Sequence, residues 1–430
     1  MPLTAQAVQC SEPAPDRRLA IVRLQVANFR CYREADISVD GRPVVLTGPN
    51  GAGKTNLLEA LSFLAPGRGL RRARLGEIDR RAASAAPSGA SAVAAPLGAG
   101  AVVAPLGASA VAAPIGAWAV SAPLGAWAVS ARLATPQGEV QVGTGRDPET
   151  ASEAARDRRL IRIDGVAIKG QAALAELLSL VWLTPQMDRL FQEGPSQRRR
   201  FLDRLVYAGD PAHAARVAAF EQAMRERQRL LEEGGTRADP AWLDALEGVM
   251  AAEGVAISAA RRALVGRLDQ AAVAAPEGPF PRPRLELEGA VESWLAEAPA
   301  LAAEERLAGL LRGSRLAGAH APGPHRSDMR VSHRGTGMPA ELGSTGEQKA
   351  LLVAIVLAHA SLEAADRGTA PVLLLDEIAA HLDRPRREAL FETILDLGAQ
   401  AWLTGTDEAL FRPLGADAQF LKVENAVVIR

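Results

Sequence analysis

Cysteine is nearly absent: Cys10 and Cys31 are the only two in 430 residues. That excludes a disulfide framework and a cysteine-based zinc site, and it fits a reducing compartment. The six histidines are scattered with no H-x-x-x-H pair, so no histidine-based metal site is expected either. Lysine is scarce as well, four residues against 45 arginines, a bias that with the abundant Ala, Gly and Pro reflects a GC-rich coding sequence more than a function. A net charge of −1 supplies no global attraction to nucleic acid. The N-terminus lacks the apolar core of a secretory signal, so residues 1–18 read as a loose leader and the chain as cytoplasmic.

Charge is missing altogether from one long segment, since no Asp, Glu, Lys or Arg occurs between Arg81 and Arg132. From Pro87 to Ala131 this segment is five tandem nonapeptides, PSGASAVAA, PLGAGAVVA, PLGASAVAA, PIGAWAVSA and PLGAWAVSA. A proline in every repeat prevents an uninterrupted apolar helix of about 20 residues, so no membrane span is expected. Fixed-period repeats can stack into a small solenoid. The preferred reading is a duplicated coding unit carried as a surface loop over 87–131. The last copy runs into Arg132-Leu133-Ala134, then Thr135-Pro136-Gln137-Gly138, then Glu139-Val140-Gln141-Val142, which predicts strand, turn, strand. One copy therefore serves as the native strand of a hairpin, although the sequence leaves open which.

What is present begins with the octapeptide Gly48-Pro49-Asn50-Gly51-Ala52-Gly53-Lys54-Thr55, which satisfies G-x-x-x-x-G-K-[ST] directly after the apolar run Val44-Val45-Leu46-Thr47. Glycines let successive backbone N–H groups turn inward around phosphates, Lys54 reaches the same oxygens, and the Thr55 hydroxyl can hold magnesium. Asn56 to Leu64 is expected to continue as a helix with its N-terminus aimed at the anion. The chain is thus predicted to bind ATP with Mg2+. Nearby, residues 1–82 carry 13 Arg or Lys against 8 Asp or Glu, and Arg68, Arg71, Arg72, Arg74, Arg80 and Arg81 form the densest cluster. Such a surface suits phosphate contacts, or is an ordinary solvated face.

Pro371-Val372-Leu373-Leu374-Leu375-Asp376-Glu377 reads as a buried strand ending in two acids. Asp376 can anchor hydrated magnesium while Glu377 orients or deprotonates an attacking water. Upstream, Leu342-Gly343-Ser344-Thr345-Gly346-Glu347-Gln348 precedes an apolar helix from Lys349 to about Ala365. This is a second helix N-terminus suited to an anion, and equally a capping box of Ser344 with Glu347.

The Ser344-to-Gln348 segment resembles the signature motif of ABC-type ATPases, Asp376-Glu377 resembles their Walker B, and Ala380-His381-Leu382-Asp383 their D-loop. Because Lys54 and Asp376 lie far apart in the chain, a large insertion divides the halves of one site, as in the chromosome-maintenance and DNA-repair branch. Within that branch the chain resembles the bacterial RecF family. The likeness runs from Asn28-Phe29-Arg30 through Gly67-Arg68-Gly69-Leu70-Arg71 to two further segments. These are Gly194-Pro195-Ser196-Gln197-Arg198-Arg199-Arg200-Phe201-Leu202-Asp203 and Gly323-Pro324-His325-Arg326-Ser327-Asp328. The nonapeptide array is no part of that pattern. The Ala-rich stretches 211–233 and 240–273, broken at Gly234-Gly235, fit an antiparallel helical pair forming a short arm.

The resemblance implies an α/β ABC-type P-loop ATPase head, mixed sheet with flanking helices, plus an inserted α-helical second lobe. Its expected divisions are lobe I at 19–185 and 326–430 and the helical lobe at 186–325. It also implies that Gln186 is a Q-loop residue sensing the metal site, that Ser344, Gly346 and Glu347 act on a partner's ATP, and that Asp383 crosses a homodimer interface. Arg71, Arg72 and Arg74, with Arg198, Arg199 and Arg200, are candidates to meet the DNA backbone. By resemblance, ATP drives dimerisation on double-stranded DNA near single-strand gaps, and the protein works with RecO and RecR to load RecA in gap repair, replication restart and the SOS response. The switch position, Thr404-Gly405-Thr406-Asp407, holds no histidine, which agrees with slow hydrolysis. Two alternatives stay open, a nucleotide-gated clamp with negligible turnover and the energising subunit of a transporter.

Overall fold

The structure is a computed structural model that describes residues 18–80, 126–147, 158–317 and 321–429. Residues 1–17 of the leader, the first four nonapeptides and residues 123–125 of the fifth lie outside the described residues. In chain order the strands are β1 (Ala20–Phe29), β2 (Tyr32–Ser38), β3 (Val44–Thr47), β4 (Ala128–Thr135), β5 (Gly138–Arg146), β6 (Arg159–Ile163) and β7 (Val166–Ala167). They continue with β8 (Leu180–Leu183), β9 (Pro283–Glu288), β10 (Asp328–His333), β11 (Val372–Leu375), β12 (Ala401–Gly405), β13 (Gln419–Glu424) and β14 (Val427–Ile429).

One sheet, ordered β14-β13-β3-β12-β11-β8, is parallel except for its edge strand β14. Every residue of β3, β8, β11 and β12 is buried, which is why these segments are near-continuous apolar runs rather than alternating ones. The register pairs Thr47 with Gly405 and Leu375 with Leu403, so β3 and β12 finish level while β11 ends two residues short of them, before Asp376 and Glu377. Ligand sites in such sheets lie beyond those ends.

The second sheet, β2-β1-β4-β5-β6-β7, is antiparallel, and β4 occupies an interior position between β1 and β5. Its first half, Ala128–Ala131, is the end of the fifth nonapeptide. Each earlier copy is followed by a proline, which lacks the N–H an interior strand needs, whereas the fifth is followed by Arg132-Leu133-Ala134-Thr135. Trp127 is fully buried against Phe29 and Phe63, at ring-centroid separations of 5.6 and 5.0 Å, and its indole N–H donates to the Leu75 carbonyl at 2.9 Å. The surface-loop expectation for 87–131 therefore fails for 126–131, which are buried in the sheet.

The two Ala-rich stretches form long helices, His213–Gly234 and Pro240–Ala274, packed on each other. Gly235 turns between them at φ 52°, and Asp239 caps the second helix by accepting from the Ala241 amide at 2.9 Å. With the helices Ala290–Glu297 and Ala300–Ala317 they enclose a separate core around Phe220, Met250, Val255, Trp294 and Leu307. The helix Thr345–Arg367 starts four residues earlier than the sequence suggested, because Ser344 caps it, and ends at Gly368 with φ 72°. Among the described residues it is the single helix long and apolar enough to cross a membrane, but 67% of its apolar window is buried inside the fold.

Candidate functional site

Three strand ends build the site. From β3 the chain enters the phosphate loop and then the helix Lys54–Ser62, two residues ahead of the expected start. The loop depends on glycine at two crowded positions. A Cβ on Gly48, at φ 143°, would lie 2.1 Å from the Val423 carbonyl oxygen. One on Gly53, at φ 113°, would lie 2.7 Å from the Tyr32 hydroxyl and 2.9 Å from the Cys31 sulfur. Lys54 is almost wholly buried, and its ammonium donates to the carbonyls of Gly48 and Pro49 at 2.6 and 2.9 Å. Burial lowers its pKa, and the charges of Glu377 and Asp376 oppose that shift. A desolvated ammonium bonded only to loop carbonyls, beside backbone wound at positive φ, is a cradle suited to phosphate.

Asp376 leaves the end of β11, and its Oδ1 accepts from the Thr55 hydroxyl at 2.9 Å and the Thr404 hydroxyl at 2.8 Å. Burial raises the Asp376 pKa, while the hydrogen bonds from Thr404 and Thr55 pull it back. Thr55 and Asp376, distant in sequence, thus present adjoining hard oxygen donors, the set magnesium prefers, so the residues fit a nucleotide-bound Mg2+. Glu377 is half-buried in the left-handed region at φ 53°, and its amide donates to the Thr404 hydroxyl at 2.9 Å. Gln186 is exposed in the short 3-10 turn Pro185–Arg189 that leaves β8, the neighbour of β11.

The remaining predicted residues sit elsewhere. Ser344 accepts from the Glu347 amide at 3.3 Å, while the Ser344 amide and hydroxyl both donate to Glu347 Oε2 at 2.8 Å. Those bonds, side chain first, lower the Glu347 pKa. A Cβ on Gly346 would meet open space. Asp383 caps the helix Arg384–Asp396 through the Arg386 amide at 2.9 Å and is exposed. Among the described residues, no hydrogen bond or ion pair joins Ser344, Gly346, Glu347 or Asp383 to the chain's own phosphate loop.

The arginines divide sharply. Arg198 is not a surface cation: it is buried, and its Nε and Nη2 donate to both oxygens of Asp328 at 2.7 and 2.8 Å. Its Nη1 donates to the Glu193 carbonyl at 2.6 Å. This corrects its assignment to DNA, since a buried, saturated guanidinium has nothing left for a phosphate. Arg199 is half-buried and donates to the Ser327 carbonyl at 2.7 Å, so the two RecF-like segments clasp each other. Arg71 is exposed but turned to the nucleotide helix, donating to Asn56 at 2.9 Å and lying 3.3 Å from the buried Glu59. Arg74 and Arg200 are exposed. Arg72 is exposed too, though enough protein surrounds its guanidinium to lower its pKa, an effect that the like charges of Arg200 and Arg68 increase. Arg72 and Arg200, far apart in sequence, are thereby close enough for their charges to act on each other.

The sequence placed Thr404 in the switch segment without giving its hydroxyl a partner, and it gave no role to the ion pair between Lys349 and Asp188, at 3.0 Å. A lysine in the first turns of a helix opposes the helix dipole, and this was the available signal. For Thr404 the signal was its place in the switch segment at a strand end.

A phosphate loop and a Walker B pair meeting at the carboxyl ends of one mixed sheet, with a signature-type helix and an inserted helical lobe, define an ABC-type P-loop ATPase head. A profile for the AAA domain matches residues 23–85. The chain is 44% identical to the DNA replication and repair protein RecF of Rhizobium rhizogenes (strain K84), over 96% of this chain and 99% of that protein. It is also 44% identical to the protein of the same name from Brucella suis biovar 1, over 96% of each. Among solved structures, the recombination mediator protein RecF-ATPrS of the RecFOR pathway shares the fold with a TM-score of 0.71 at 18% identity, covering 96% of this chain and 98% of that one. This chain belongs to the RecF family.

Proposed function

We propose that this protein is an ATP-dependent DNA-binding ATPase of recombinational gap repair and replication restart, cytoplasmic, acting as a homodimer formed by ATP on duplex DNA near single-strand gaps. In this reading the residues of lobe I, 19–185 and 326–430, hold the nucleotide, and the helical lobe at 186–325 forms the arm. The observation that carries it is the meeting of Thr55, Asp376 and Glu377 at the carboxyl ends of neighbouring strands, while among the described residues no hydrogen bond or ion pair ties Ser344 to its own phosphate loop. A signature motif detached from its own site, with open space over Gly346, suits action on a second head.

Bound Mg2+ would neutralise charge between the outer phosphates of ATP. Lys54 would exchange its bonds to Gly48 and Pro49 for phosphate oxygens, and Thr55 and Asp376 would hold the metal. Glu377 would orient the attacking water and take its proton. Hydrolysis is expected to be slow and to release the dimer, because the shared γ-phosphate is what links the heads. Arg72, Arg74 and Arg200 would contact the DNA backbone, which positions the protein without reading sequence. As RecF-family partners, RecO and RecR would join it in loading RecA and supporting the SOS response.

The test is anisotropy of labelled gapped duplex titrated with protein in ATP-magnesium, ADP-magnesium and no nucleotide, for wild type, Ser344→Arg and Glu377→Gln. Binding strengthened by ATP and abolished by Ser344→Arg is expected. Binding indifferent to nucleotide would refute the ATP-dimer reading. Glu377→Gln that leaves function intact where Lys54→Ala abolishes it would favour a clamp that does not need turnover.

A further inference from the structure

We infer that Thr404 is the positioning residue of the hydrolytic site, setting Asp376 and Glu377 at once through a single hydroxyl. The inference rests on the reading of Glu377 as the base, and it adds a completely buried residue that acts through its two neighbours. Thr404 is completely buried at the end of β12, the strand lying between the phosphate-loop strand and the Walker B strand. Its partner in register is Leu46 on β3, and the preceding Leu403 pairs with Leu375 on β11.

A hydroxyl has one proton to give and lone pairs to receive with. Here the proton goes to Asp376 Oδ1 at 2.8 Å and the acceptor side takes the Glu377 amide at 2.9 Å. The second bond matters because Glu377 is a non-glycine residue at φ 53°, a conformation that persists only where the surroundings over-determine it. The first matters because Thr404 and Thr55 both donate to Asp376 Oδ1, so the Thr404 bond helps to fix the orientation of the carboxylate that would hold the cation. The strand end is itself held: a Cβ on Gly405 would lie 2.5 Å from the buried Phe411 ring, so that ring packs directly on the backbone beside Thr404. Thr404 therefore ties the metal-holding carboxylate to the backbone that aims the base.

The experiment compares wild type, Thr404→Val and Thr404→Ser, with Glu377→Gln alongside. Affinity for a fluorescent ATP analogue is measured across a Mg2+ titration, and hydrolysis in single turnover. Thr404→Val keeps the shape and removes the hydroxyl. It should bind nucleotide without Mg2+ within about twofold of wild type, yet raise the Mg2+ midpoint and lower the hydrolysis rate by about tenfold each, the weight of one charge-assisted hydrogen bond. Thr404→Ser should restore both. An unchanged Mg2+ midpoint in Thr404→Val, or a serine variant as impaired as the valine, overturns the inference. Should the valine variant melt early, amide exchange in the wild type decides: a protected Glu377 amide supports the bond to Thr404 and a rapidly exchanging one refutes it. Glu377→Gln that hydrolyses at the wild-type rate would sink the base assignment alone, leaving the Mg2+ and exchange results to judge Thr404.

Discussion

Replacing Arg198 with alanine separates a structural cation from a DNA-contacting one. In the folded protein its guanidinium makes two bonds to Asp328 and donates to the Glu193 and Phe191 carbonyls at 2.6 and 3.3 Å. The two side chains are only 9% and 10% exposed, so removing Arg198 leaves an almost buried carboxylate. Arg330, with its Nε 3.5 Å from Asp328, offers partial compensation. Breaking a buried pair by deleting one partner costs about 3–5 kcal/mol, a large share of the roughly 5–15 kcal/mol that holds a typical domain folded. Replacing both partners, as Arg198→Met with Asp328→Leu, should recover most of the loss, because no charge is then stranded. Urea unfolding monitored by circular dichroism reads the stability, and DNA anisotropy against salt concentration reads the phosphate contacts. Arg200→Ala, at an exposed site, should change stability by less than about 0.5 kcal/mol and reduce the salt slope by about one. An Arg198→Ala protein with an unchanged urea midpoint and a reduced salt slope would refute the assignment of Arg198 to the clasp.

The packing sets two further outcomes. His359 is buried on the helix Thr345–Arg367, donates from Nε2 to the Leu205 carbonyl at 2.9 Å, and has its pKa pushed down by that burial from 6.5 to about 4. The unfolded chain therefore takes up a proton before the folded one, so stability is full above about pH 6.5 and falls as pH drops towards 4, by up to about 3 kcal/mol. His359→Gln should remove that component from a series of urea midpoints between pH 7 and 4.5, and an unchanged acid slope would count against a neutral buried imidazole. Deleting residues 123–131 fuses Ala122 to Arg132 and rebuilds the same Ala-Trp-Ala-Val-Ser-Ala-Arg strand from the fourth copy. Stability should then stay within about 0.5 kcal/mol of wild type, since loop length enters only logarithmically. Trp127→Ala, which empties the site against Phe29 and Phe63, should cost about 3–5 kcal/mol in the same unfolding assay, and a reversed order would refute the assignment of β4.

Much of the nucleotide site was legible before folding because its parts are contiguous. Gly48 to Thr55 and the strand ending in Asp376-Glu377 carry their geometry in local residue types, and the Ser344–Glu347 capping box and the Gly234-Gly235 break are equally local. The tandem nonapeptides were legible as a repeat but not as a structure. Their sequences are near-identical, and the copy that enters the sheet is selected by its C-terminal neighbour, Arg132 in place of a proline.

Local chain order determined the phosphate loop, the strand ending in Asp376-Glu377 and the helical pair broken at Gly234-Gly235, since backbone conformation at glycines, apolar runs and caps depends on neighbours in the chain. Which cations are free was settled by tertiary packing. Arg198, Arg199 and Arg200 are adjacent in sequence, yet a helix turns successive side chains about 100° apart, so one meets Asp328, the next a backbone carbonyl, and the last solvent. Packing also joined Thr404 to Asp376 and Glu377, because that contact exists only where separate strands are brought into register, and register is a property of the folded sheet.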